Sequence, residues 1–281
     1  MSLNETGFLS PDIQNWIAKH RLDSADGFRI AEALNAAGVK TLYTSTPANN
    51  DNRQLALSLL FARTLSHYQA ALILCERGAV LSAKALMRVI LEATFTLVAI
   101  VEDPPFYDLW VNNDRKRRAD LIQALLDLPA DEIAVPAEEL EQLRQEVSAL
   151  KSAIKVDKKR EVKTDKKAKF GAFDAARLAG MLDFYRLFYV PYSNVVHTSL
   201  GDLAHHVNVD PAGHIASLKW GPQTEEVDDL VDAAIQIFFP ALECTLRTFL
   251  NSEMRKEFEN LWAQHQQRLK IKTKQRTGAA A

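Results

Sequence analysis

The stretch from Val80 to Val101 decides most of what this chain can become. It is apolar almost all round, and its only charges, Lys84, Arg88 and Glu92, recur at four-residue steps. That spacing puts all three on one stripe of an α-helix. A helix apolar on its other faces belongs in the middle of a bundle or inside a membrane. Near a bilayer centre each charge costs about 2.5–3.5 kcal/mol on insertion scales, so three of them argue against a span. The expectation is the buried centre of a helical bundle with no membrane partner.

Composition agrees. The chain has 281 residues, 47% hydrophobic and 25% charged, with a net charge of −2. Those fractions exclude global disorder and fibrous repeats, and the near-zero charge argues against a uniformly basic nucleic-acid binder. The length allows one large domain or one with an appendage. Met1 to Gln14 is polar, broken by Gly7 and Pro11, and lacks the basic start and apolar core of a secretory signal. Cys75 and Cys244 cannot form a disulfide framework and suit a reducing compartment. A cytoplasmic location is expected.

Helical periodicity dominates elsewhere, so the fold class expected is all-α, a multi-helix bundle. Helices are expected over Pro11–His20 and Asp23–Ala37, the second stopped by Gly38, then a linker to Asn52. Residues 1–50 thus read as an N-terminal accessory segment, 51–267 as the bundle, and 268–281 as a basic flexible tail. The bundle opens with a helix from Asn52 to Arg77, closed by Gly78. After the central helix come Phe106–Asn112, Asp114–Leu128, Pro136–Ile154 and Asp174–Val190, the last interrupted at Pro191. A long helix runs from Thr224 to Leu250 and bends at Pro240. A small β-hairpin is expected near 203–220, where His205–Val209 and His214–Leu218 flank Asp210-Pro211-Ala212-Gly213.

Two constellations can carry chemistry. Burying Arg88 or Glu92 unpaired is costly, so each must face the other, a polar partner or a solvated cleft. An intrahelical ion pair that fixes the bundle register explains them; so does a ligand pocket, to which Lys84 would belong. The second constellation is Tyr189, Tyr192, Ser193, Asn194 and His197, with Ser193 and His197 four residues apart on a helical face. A histidine there can serve as general base near neutral pH, and Asn194, Ser193 and Tyr189 can bind a ligand beside it.

Arg-x-x-x-Glu at Arg88 and Glu92, with Ser-x-x-x-His at Ser193 and His197, resembles a bacterial helical family of unknown function over roughly Asn52 to Leu250. More distantly the chain is similar to the HEPN superfamily, which also ends its motif Asn-x-x-His, here Asn194 and His197. That superfamily's bundles often dimerise, and many members are metal-independent ribonucleases of toxin or phage-defence systems. Its hallmark Arg would fall at Val190, Pro191 or Tyr192, and none is Arg. The resemblance therefore asks Arg88 to supply the guanidinium. It implies RNA as partner, His197 as acid or base, Arg88 stabilising phosphate charge, Glu92 orienting Arg88, and a homodimer. The alternatives are a non-catalytic interaction or regulatory module for a partner protein, and a nucleotide sensor, with the same residues as a structural or ligand-binding network.

Other signals are weaker. His205, His206 and His214 with Asp202 or Asp210 lack tight metal-ligand spacing, so no metal and no cofactor is expected. Lys151 to Lys169 has nine bases and three acids, next to an acidic stretch, Asp131 to Leu150. Within it Lys158, Lys159 and Arg160, and separately Arg115, Lys116, Arg117 and Arg118, could contact phosphates without sequence preference if they share a side. Neutralisation of the acidic stretch, or two solvated faces, would explain the same charges.

Overall fold

A computed structural model describes residues 3–129, 135–154, 171–197, 200–250 and 252–278. Its helices are α1 (Ile13–His20), α2 (Ala25–Thr44), α3 (Asn52–Glu76), α4 (Val80–Glu102), α5 (Phe106–Leu126), α6 (Ala137–Ala153) and α7 (Ala172–Leu178). They are followed by α8 (Val190–Val196), α9 (Val227–Thr248) and α10 (Ser252–Gly278), with short turns between. Two strands, β1 (Val207–Val209) and β2 (Ile215–Leu218), pair antiparallel, Val207 opposite Leu218 and Asn208 opposite Ser217. The all-α bundle with a small hairpin is therefore the fold. Among the described residues no helix is long and apolar enough to cross a membrane.

The core forms where α3, α4 and α9 meet. Phe238 of α9 stacks on Tyr68 at 4.3 Å and lies 5.9 Å from Phe61, both on α3. Tyr68 is fully buried, and its hydroxyl donates to the Ala31 carbonyl at 3.0 Å, which satisfies the one polar atom it brings inside. Helix α3 starts and stops as its sequence dictates. Gly78 sits at φ +66, a left-handed conformation that ends α3, and a Cβ there would overlap Trp16 and the Gln223 backbone. Asp51 caps α3 by accepting from the amides of Arg53 and Gln54.

Several expectations fail for identifiable reasons. Helix α2 runs through Gly38 to Thr44. The glycine is a contact point: a Cβ there would lie 2.9 Å from Leu65 Cδ1 and 3.1 Å from Phe238 Cζ. Phe28, Ile30 and Leu34 of α2 join the same core as α3 and α9, so no packing boundary falls at residue 50. Helix α5 is continuous across Asn112–Asp114. Residues 268–278, expected in a flexible tail, form the last turns of α10. Pro191 does not break its segment either. Residues Tyr185–Tyr189 form a π-helical turn, in which the Val190 amide donates to the carbonyl of Tyr185, and Pro191 opens α8 just beyond it. Proline tolerates the first turn of a helix, where its missing N–H costs little.

Candidate functional site

Helix α4 carries Lys84, Arg88 and Glu92 along the stripe that its spacing demands, and α8 packs against that stripe. The π turn sets the rotational phase of α8, with Tyr185 and Tyr189 stacked at 5.0 Å. Tyr189 and Ser193, one helical turn apart, then face Arg88 together. The Arg88 Nε donates to Ser193 Oγ at 3.0 Å and its Nη2 to the Tyr189 hydroxyl at 2.9 Å. Tyr189 in turn donates to Glu92 Oε1 at 2.6 Å, and Nη2 of Arg88 stands 3.1 Å from the same oxygen. The guanidinium also lies over the Tyr189 ring, 5.0 Å from its centroid.

Burial pushes the Tyr189 phenol up to about 12, and the bond to Glu92 and its charge add to that, against the opposing pull of Arg88 and Ser193. Tyr189 therefore stays a neutral donor at physiological pH. It can orient Glu92 and Arg88 but cannot serve as a base there. The arginine side chain is 19% exposed, and among the described residues its Nη1 has no hydrogen-bond partner.

The remaining candidates fall in different places. His197 lies one turn beyond Ser193 at the end of α8; its amide bonds the Ser193 carbonyl at 3.0 Å, while its ring is exposed and bonds no described residue. Lys84 leaves the Arg88 network and pairs with Glu226 Oε2 at 2.6 Å. Asn194 faces a cavity of about 500 Å³ on the adjoining side of α8, whose lining also includes Lys84, Phe188, Tyr192 and Leu230. Arg88, Glu92, Tyr189 and Ser193 are brought together; Lys84, Asn194 and His197 do not join their hydrogen bonds.

The basic cluster on α5 is largely committed elsewhere. Arg115 bonds Asn112 and the Ala153 carbonyl, Arg117 pairs with Asp114, and Arg118 reaches Glu146 of α6 at 2.6 Å. Lys116 is exposed. Lys158, Lys159 and Arg160 lie outside the described residues. At the hairpin, His206 Nδ1 is 3.4 Å from the Lys219 carbonyl oxygen and His214 pairs with Asp210, so these imidazoles take separate partners.

Sequence reasoning missed a second charged network. Asp228, Asp229 and Asp232 on α9 gather their carboxylates closely enough to suggest a cation site. That role is filled by protein cations. Arg268 of α10 pairs with Asp228 and Asp232, Lys272 meets all three acids, and Arg276 bonds Asp229 at 2.7 Å. The signal was present as Arg268, Lys272 and Arg276 at four-residue steps, one helix stripe again.

No curated protein and no solved structure matches the chain. A family model described as "Family of unknown function (DUF5677)" matches residues 54–215, which include Arg88, Glu92, Tyr189, Ser193 and His197. That match spans more than half of the sequence, and the chain belongs to this family.

Proposed function

We propose that the seam between α4 and α8 is the phosphate-handling centre of an RNA-cleaving protein, an HEPN-like effector of the toxin or phage-defence kind. The observation that supports this reading is a guanidinium fixed by Ser193 and Tyr189, with an exposed histidine four residues beyond Ser193 in sequence. Ser193, Tyr189 and Glu92 hold Arg88 so that its uncommitted Nη1 can meet a phosphate oxygen. A donor pre-oriented in this way stabilises developing charge without reorganising during the reaction.

In the reaction proposed, His197 takes the proton from an RNA 2′-hydroxyl as that oxygen bonds to the adjacent phosphorus. The bond from phosphorus to the 5′-oxygen breaks, and that oxygen leaves with a proton from water. The products are a 2′,3′-cyclic phosphate and a 5′-hydroxyl, with the imidazolium returning its proton to solvent. DNA lacks the attacking hydroxyl and is spared. Incubation of single-stranded RNA with the protein and with His197→Ala tests this. Cleavage that falls at least about a hundredfold in the variant is expected from loss of a general base. RNA equally stable with both proteins would overturn it.

A second reading has its own support. Arg88 touches Tyr189 and Ser193 from one side and Glu92 from its own helix, so it also works as a clasp that fixes α8 on α4. In that role the protein would be a non-catalytic interaction module for a partner protein, and Arg88 would matter to stability alone.

A further inference from the structure

Helices α5 and α6 leave the bundle as an arm. Phe106, Tyr107 and Trp110 seat the start of α5 against the core. Beyond them α5 packs mainly on α6, and α6 has no other substantial neighbour among the described residues. Helix α6 therefore turns its apolar row, Leu140, Leu143, Val147 and Leu150, toward α5, which answers with Ala119, Ile122 and Leu126. Of these seven, only Ala119 and Val147 are buried. One thin seam between two helices is half of the usual four-helix arrangement.

A second apolar row on α5 takes no part in that seam. Leu121 is 72% exposed, and Leu125 and Leu128, which follow it at steps of four and three, are exposed too. Three leucines in a helical row, rimmed by charge, mark an interaction surface. Arg118 lies on the same flank, three residues before Leu121 and seven before Leu125. It reaches Glu146 of α6 at 2.6 Å, while Arg115 reaches the Ala153 carbonyl at 3.1 Å. Those two bonds set the basic run Arg115 to Arg118 beside the end of α6. The acidic start of α6 then lies farther out, with Glu139 about 10 Å beyond Glu146 and on its stripe. Glu138 and Glu139 have no ion pair among the described residues, and neither does Lys116. The arm is thus basic toward its root and acidic toward its tip, with a leucine row along one flank.

We propose that this flank pairs with the same flank of a second copy of the chain, the two arms lying antiparallel as a four-helix bundle. Antiparallel order sets the basic root of each arm against the acidic tip of the other, with the leucines of both between them. A two-fold contact requires such a self-complementary surface, because every pair it makes occurs twice. Parallel arms would set root on root and tip on tip, like charge against like. A wholly acidic or wholly basic partner would suit one end of the arm and be repelled by the other. The pairing stands apart from the RNA reading, since neither Arg88 nor His197 takes part in it.

Sedimentation equilibrium of the full chain tests it. A dimer with a dissociation constant below about 100 µM is expected for an interface of modest size. Leu121→Glu should weaken it at least about tenfold, as loss of a central apolar contact does, with the helical circular dichroism of the parent retained. Arg117 stands one turn before Leu121 and is exposed. Arg117→Glu and Glu139→Arg should each weaken the dimer at least about threefold, and the double variant should recover most of that loss. These two surface positions decide the matter even if Leu121→Glu fails to fold. A chain that is monomeric throughout, or a dimer indifferent to Leu121→Glu, would overturn the interface. A double variant no better than either single one would overturn the antiparallel order. A monomer that Leu121→Glu destabilises would also overturn it, by showing that the leucines are covered from within the same chain.

Discussion

Two charged networks tie this bundle together, and they are built on opposite plans. On α9 and α10, Asp228, Asp229 and Asp232 meet Arg268, Lys272 and Arg276 acid against base, and Asp232 is almost wholly buried. Between α4 and α8, a single guanidinium is gripped by a hydroxyl, a phenol and a half-exposed carboxylate, with one nitrogen uncommitted among the described residues. The first network neutralises every charge internally. The second keeps some capacity facing outward. That difference, rather than the number of charges, distinguishes the strap from the proposed site.

The strap should show the largest effect on stability. Asp232→Ala leaves Arg268 and Lys272 partly unpaired in a mostly buried setting, and breaking a buried ion pair in this way costs about 3–5 kcal/mol. Urea unfolding measures it; a loss below about 1 kcal/mol would mean that α10 is held by its aromatic contacts instead. Those contacts are close, with Phe239 of α9 lying 3.8 Å from Phe258 and 3.9 Å from Trp262.

Arg88→Lys comes next. Lysine keeps the charge but loses the planar fork that reaches Ser193, Tyr189 and Glu92 together. A stability loss of roughly 1–2 kcal/mol is expected from the lost bonds, with RNA cleavage falling much further than folding. A variant that unfolds more easily yet cleaves RNA as fast as the parent would reduce the seam to a second strap.

The smallest effect concerns His265, fully buried beside the strap with neither ring nitrogen bonded. Burial lowers its pKa below 6.5; Asp232, at 3.6 Å, pulls it up, and Arg268 and Lys272 push it down again. The folded chain thus binds this proton less readily than the unfolded one. Stability from this group is complete above pH 6.5 and is lost as pH falls from there through the lowered folded value. Replacing it, His265→Phe, should flatten the melting-temperature curve between about pH 7 and 5 while changing little at about pH 7.5. An unchanged slope would show that the imidazole binds its proton equally well in the folded and unfolded chains. The acids act lower on the scale. Burial raises Asp228 and Asp229, but the bonds and charges of Lys272, with Arg268 and Arg276, hold both below the usual carboxylate value of 3.8.

The sequence made the seam more readable than the strap. Arg88, Glu92, Tyr189 and Ser193 announce themselves because polar groups interrupt segments that otherwise must be buried. The bases of α10 sit in polar surroundings, where a charge stripe reads as solvated surface until its partner helix is known. Gly38 misled for a related reason. A glycine is the same letter whether it ends a helix or lets two helices approach, and only Leu65 and Phe238, contributed from other helices, distinguish the cases.

The wide turn at Tyr185–Tyr189 has a further consequence. It holds one residue more than a regular turn, so it acts as a rotational index for everything downstream. Rewinding these five residues as an ordinary α turn, with none removed, would swing each later side chain by about 100°. Ser193 would then turn away from Arg88, and every other side chain of α8 would be dialled to a different bearing at once.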